Sequence, residues 1–187
     1  MKKAICAVLS GLLGLTLAVA ALAAEKFEDK AAGLRVTAPE GFTTAAQLPS
    51  IPDEIGKPKV LFTDKNYENN GGQLLIHLMD LPGGAEYAAF KTDLVATLKD
   101  YFGDGFKLHK QEDVAVGKQV GFSIEFEGPG NGKMPEPGGT IPHHIRWVLV
   151  RDGNERLMGF VYHCRESAWK ELEPKFSASQ KTLASAE

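Results

Sequence analysis

Asp152-Gly153-Asn154 lies between two runs that read as strands, about His143 to Arg151 and Glu155 to Cys164. Asp-Gly and Gly-Asn accept the positive φ of tight hairpin turns, so the runs are expected to pair antiparallel across a short turn. A long hairpin cannot stand alone in water. It needs further strands beside it and apolar cover on at least one face.

The rest of the chain supplies both. Leu34-Arg35-Val36-Thr37-Ala38 reads as a short strand stopped by Pro39, and Val60 to Thr63 as another. Between them, Pro49, Pro52 and Gly56 mark Thr43 to Lys57 as an ordered loop, with Leu48, Ile51 and Ile55 turned inward. Glu68-Asn69-Asn70-Gly71-Gly72 reads as a turn. Gln73 to Met79 is apolar on both alternating faces, which predicts an inner strand covered on both sides. Phe106 to Glu112 and Gln119 to Glu127 read as strands joined through Gly117. In the second, Val120, Phe122, Ile124 and Phe126 alternate with Gly121, Ser123 and Glu125. Gly128 to Thr140 holds five glycines and three prolines, and is expected to be a flexible loop.

Two segments carry helical spacing. Tyr87, Phe90, Leu94, Leu98 and Tyr101 share one face of a helix stopped by Gly103. Trp169, Leu172 and Phe176 mark a C-terminal helix, opened by Ser167 and bent at Pro174. The expected class is α+β: one antiparallel sheet of about six to seven strands flanked by two main helices. Trp147 and Trp169 are the expected packing anchors.

The N-terminus reads as an address. Lys2 and Lys3 precede an apolar run from Ala4 to about Leu22, which closes on Ala21-Leu22-Ala23-Ala24 before Glu25-Lys26. Its most apolar part, Val8 to Val19, suits the core of a secretory signal better than a membrane span. Residues 1–24 are therefore expected to be a signal peptide, cleaved near Ala23/Ala24. Residues 25–187 are expected to be a single periplasmic or secreted domain, which meets the membrane only through its leader. Cys6 precedes the apolar run and leaves with it, which argues against a lipoprotein. Cys164 then stays as a lone thiol, and stability depends on a packed core rather than a disulfide.

With 43% hydrophobic and 24% charged residues, the chain can fill such a core. Its net charge of −3 includes both basic residues of the leader, so the remainder is more acidic still. Nucleic-acid binding, which needs a basic stripe, is not expected.

Two phrases carry a resemblance: Leu34-Arg35-Val36-Thr37-Ala38-Pro39-Glu40-Gly41-Phe42 at the front, and Glu166-Ser167-Ala168-Trp169 through Glu173-Pro174-Lys175-Phe176 at the end. With the mid-chain amphipathic helix and the Asp-Gly hairpin between them, the chain resembles the PsbP-like family over about residues 27–182. That family includes an extrinsic oxygen-evolving-complex subunit, a Ran-binding import factor and exported bacterial relatives. The resemblance implies an antiparallel sheet flanked by helices, and a non-catalytic binding or assembly role without a cofactor.

Chemistry in the residues is sparse. A two-residue turn at either Asp152-Gly153 or Gly153-Asn154 puts His144 and His163 on one sheet face, with Arg146, Val148, Leu157 and Val161. The other face then carries His143, Trp147, Phe160, Tyr162 and Cys164. His77 and His109 also lie off the apolar stripes of their strands. A polar face with His77, His109, His144 and His163 is a weak metal candidate, with His144 and His163 at its centre and Arg146 as a poor neighbour for a cation. Cys164 and His163 are strand neighbours pointing apart, so they make no thiol dyad. His143 is within reach of Cys164, but no third group orients it. Gly128 to Lys133 superficially resembles a phosphate loop. Its spacing is wrong, Met134 replaces the Ser/Thr, and Pro135 and Pro137 preclude the following helix. Asn131, Lys133 and Met134 are instead candidates for a partner-contacting arm. Glu125 and Glu127 read as the solvated side of their strand.

The function expected is an exported, non-catalytic accessory protein that supports assembly or stability of an envelope complex through a protein partner. The alternatives are a small-ligand carrier, with a cleft beside the Thr43–Lys57 loop, and a metal-handling protein.

Overall fold

The computed structural model describes residues 24–49, 56–80, 87–117, 119–131, 134–151 and 156–185. The signal-peptide reading falls almost entirely outside them. Eleven strands and three α-helices follow in order: β1 (Lys26–Asp29), β2 (Leu34–Thr37), β3 (Phe42–Thr44), β4 (Lys57–Asp64), α1 (Tyr67–Asn70), β5 (Gln73–Asp80), α2 (Tyr87–Phe102), β6 (Lys107–Val116), β7 (Gln119–Asn131), β8 (Met134–Pro135), β9 (Ile141–Arg151), β10 (Arg156–Arg165), α3 (Glu166–Lys181) and β11 (Ala184–Ser185). The chain is α+β, with two main helices on its sheet, as the sequence predicts.

The main sheet is antiparallel, in the order β3-β4-β5-β10-β9-β7-β6, and β8 folds back on the end of β7. A second sheet, β1-β2-β11, corrects the expectation of a single one. Its strands are two to four residues long, too short for a period-2 pattern to stand out. The sequence places Leu34–Ala38 in a strand, but β11 pairs with it only after α3 has carried the C-terminus back.

Two cores result. On one side of the main sheet, α3 and the small sheet cover Leu74, Ile76, Val148, Met158, Phe160 and Tyr162, with Leu172 and Phe176 from α3. On the other side, α2 sets Phe90 and Leu94 against Phe122, Ile124, Trp147, Leu149 and Leu157. β5, between β4 and β10, is the inner strand that its two apolar faces predict. Each fully buried side chain of this size contributes about 1.5–3 kcal/mol relative to exposure.

Several local expectations change. Tyr101 is exposed, edge-on to Phe102, which takes the buried position at the end of α2. α3 starts at Glu166 with Arg165 in the cap position, so Ser167 lies inside the helix and does not open it. Leu48 is exposed rather than turned inward, and Ile51 and Ile55 lie outside the described residues. The Gly-Pro segment is mostly structured: β7 runs on to Asn131, β8 follows, and β9 starts at Ile141. Gly139 serves close packing. A Cβ on Gly139 would lie 2.2 Å from the Gly130 carbonyl carbon. Among the described residues no helix is long and apolar enough to cross a membrane.

The largest correction concerns register. Arg151 pairs with Leu157 and His144 with Cys164, so five residues, not two, connect the paired ends. That moves the pairing one step from the tight-turn register, and one step sends every side chain to the other face. His163 therefore faces α2 while His144 faces α3. Phe160, Tyr162 and Cys164 join the His144 side, leaving His143 on the opposite face from Cys164.

Candidate functional site

The polar side of the molecule lies where β6, β7 and β9 pass under the start of α3. Cross-strand pairing sets His144 opposite Glu127 and Arg146 opposite Glu125, so alternation brings two carboxylates and two bases to one face. β6 adds His109 through a bulge. The register shifts between Leu108 and Lys110, and the extra residue turns its ring toward this face. His109 Nε2 lies 2.7 Å from Glu127 Oε1, and its ring stacks on that of His144 with centroids 5.0 Å apart.

His144 is the hub. Its Nδ1 is 2.7 Å from Glu166 Oε2 in the first turn of α3, and its Nε2 is 3.1 Å from Glu125 Oε1. Trp169, one turn further along α3, stacks on the imidazole at 3.6 Å. Arg146 is held beside it: Nε donates to Glu125 Oε2 at 2.7 Å, Nη1 to Ser177 Oγ at 2.9 Å and Nη2 to Glu173 Oε1 at 3.1 Å. Its guanidinium also lies over the Trp169 ring, 5.1 Å from the centroid. Burial alone would push the Glu125 carboxyl up, but the hydrogen bonds from His144 and Arg146 outweigh it and hold it at about 2. Glu127 is lowered in the same way: burial opposes, and Lys107 and His109 prevail. Both glutamates are thus partly buried ion-pair members, not the solvated strand face the sequence suggests. Next to them, Lys110, Ser123, Arg146, Glu173, Gln180 and Lys181 line a cleft of about 480 Å³ between α3 and the sheet.

The α2 side holds the other histidines in a different state. Gln73 Nε2 donates to His163 Nδ1 at 2.6 Å, and His163 Nε2 donates to His143 Nδ1 at 2.6 Å. That chain needs both rings neutral, and burial favours this. Burial lowers His163 well below the ordinary imidazole range, and His143 falls to about 4, helped by the Arg165 charge. His143 Nε2 is buried without a hydrogen-bond partner among the described residues. His77 also lies on this side, its ring 5.4 Å from that of Trp147. It packs over Gly159, where an added Cβ would meet its Nε2 at 2.0 Å.

The four histidines expected on one polar face are therefore divided, His109 and His144 on one side and His77 and His163 on the other. Cys164 is buried and its thiol is pushed up to about 12, chiefly by burial, so it is not poised as a nucleophile. Of the partner-contact candidates, Asn131 is exposed but its amide donates to Glu136. Lys133 lies outside the described residues, and Met134 enters β8. Neither cleft described borders the Thr43–Lys57 loop; the second, about 560 Å³, lies between α2 and β6. Sequence reasoning missed Glu166, Glu173 and Gln73 as partners. Each sits on an element whose approach depends on tertiary packing.

No protein-family model and no curated protein sequence matches the chain. Solved structures do. The solution structure of the cyanobacterial PsbP protein CyanoP from Synechocystis is 16% identical, with a TM-score of 0.61, over 94% of this chain and 99% of that one. A Pseudomonas aeruginosa protein of unknown function, described as a putative regulator, is 15% identical with a TM-score of 0.58, over 78% and 98%. The Ran-binding protein Mog1p of Saccharomyces cerevisiae is 11% identical with a TM-score of 0.55, over 88% and 96%. The paired cores, the antiparallel sheet and its two covering helices are thus the PsbP-like fold.

Proposed function

We propose that this is an exported, non-catalytic accessory protein that binds a protein partner in the cell envelope, with the α3-side cleft as its contact surface. The observation that carries this reading is the pinned Arg146–Glu125–Glu173–Ser177 network. It fixes charged groups of both signs on rigid strands and a helix at the rim of an open cleft, as recognition of a polar surface requires. Two groups that could do nucleophilic work are withdrawn: Cys164 is buried, and Tyr162 is buried with its hydroxyl pKa raised. The shared fold adds support, since Mog1p is a Ran-binding protein. Export is supported by the leader's composition.

The test is photo-crosslinking in whole cells, with the reactive group at Lys110 or Gln180 in the cleft and at Ala89 on the outer face of α2. A discrete adduct from the cleft positions alone is expected. Adducts from Ala89 alone, or none from any position, would contradict the assignment.

A further inference from the structure

We propose that His109, Glu127 and His144 form a binding site for a divalent cation of the zinc class. One ligand atom from each lies within 4.8 Å of the other two. Two imidazole nitrogens and one carboxylate oxygen are a donor set that zinc accepts, with a fourth position left for water or a further carboxylate. Glu125 Oε1 stands ready for that position, 3.1 Å from His144 Nε2.

The surroundings resemble a supporting shell. A ligating histidine commonly donates its second ring nitrogen to a carboxylate, which fixes the tautomer. His144 has that arrangement, with Nδ1 on Glu166 Oε2 at 2.7 Å and Nε2 3.1 Å from Glu125 Oε1, and Glu127 is its cross-strand partner. Glu127 keeps its other oxygen on Lys107 Nζ at 2.9 Å. Local charge favours a cation. Glu125, Glu127, Glu166 and Glu173 surround the two imidazoles, with Lys107 paired to Glu127 and Arg146 to Glu125 and Glu173. With tetrahedral zinc–ligand bonds of about 2.0–2.2 Å, ligand atoms sit about 3.4 Å apart, so His109 and Glu127, now 2.7 Å apart, must open slightly while the wider separations close. His109 has the freedom to do so. It is exposed, it is the extra residue of a bulge, and it sits on the edge strand β6. On binding through Nε2, the neutral His109 ring carries its proton on Nδ1, and the cation takes the place of the hydrogen bond to Glu127.

This proposal is independent of the partner reading above. Trp169 gives the experiment a local reporter, because its ring stacks on His144 while Trp147, the only other tryptophan, faces α2. Zn²⁺ is titrated into the purified protein by calorimetry, and Co²⁺ with tryptophan emission as the readout. One equivalent is expected to bind, with Co²⁺ quenching that is absent in Trp169→Phe. His109→Ala and Glu127→Gln are each expected to weaken binding at least about tenfold, and Glu166→Gln about 10- to 100-fold. Circular dichroism should show each variant folded; His109, being exposed, is the variant least able to disturb the core. No saturable Zn²⁺ binding up to about 1 mM would overturn the site. So would an unchanged affinity in folded His109→Ala and Glu127→Gln.

Discussion

His143 and His144 are neighbours in the chain, yet they belong to opposite kinds of environment. His144 lies among carboxylates at the rim of a cleft, stacked between His109 and Trp169. His143 is sealed under α2, joined to His163 and Gln73 by neutral hydrogen bonds. A strand places consecutive side chains on opposite faces, so one step along β9 crosses from an ion-pair lattice to a dry core. Composition alone thus says little about what a histidine does. The covering element decides: α3 arrives with Glu166 and Glu173, whereas α2 arrives with Phe90 and Leu94.

The two tryptophans offer the largest contrast. Trp147 is 7% exposed in the α2-side core, and Trp147→Ala should cost about 3–5 kcal/mol in urea unfolding. Trp169 is half-buried over the polar cluster, and Trp169→Ala should cost about 1–2 kcal/mol. Equal costs would mean that the two faces are packed alike.

Arg146 is next. Its removal leaves Glu125 partly buried without its main partner, so Arg146→Met should lose about 2–3 kcal/mol. Adding Glu125→Gln should recover part of that, and a double-mutant cycle measures the coupling. Strict additivity would show that the pair contributes little.

The faces should also separate along the pH axis. His143 and His163 take up protons less readily folded than unfolded. The His143 contribution is complete above about 6.5 and falls as pH drops toward about 4, by on the order of 3 kcal/mol, and His163 acts in the same direction. Glu125 behaves differently, because its folded value is depressed to about 2. Its contribution is complete above the ordinary carboxyl range near 4.5 and is lost as pH falls toward 2. Chemical denaturation at stepped pH should show both declines in the wild type and a smaller lower one in Glu125→Gln, where Glu127 and Glu173 remain.

Least affected should be the surface pair outside both regions. Lys91 donates to Asp113 at 2.7 Å, and Lys91→Ala should cost under about 1 kcal/mol, shrinking further in high salt.

Much of the fold was legible because its long elements repeat a pattern. Two-sided apolar Gln73–Met79 announces an inner strand, and the Tyr87–Leu98 spacing announces α2. The short strands β1, β3 and β11 carry no such signal, being defined by what they pair with. The site was half legible. His144 could be marked as unusual on a strand, and Glu125 and Glu127 as sharing one face of theirs. The pairing with His163 failed because Asp152-Gly153-Asn154 identifies a hairpin without fixing the length of its connection, and a single residue exchanges the faces. The bulge that turns His109 toward His144 leaves no mark in composition either.

A ¹⁵N-imidazole NMR titration of the five histidines, with the protein kept folded, tests this division most directly. His143 and His163 should show one protonated nitrogen each at neutral pH and a coupling across their 2.6 Å hydrogen bond, with no charging near 6.5. If both instead charge together near 6.5, like imidazoles in water, the sheet does not part its histidines into a buried neutral set and a set bonded to carboxylates.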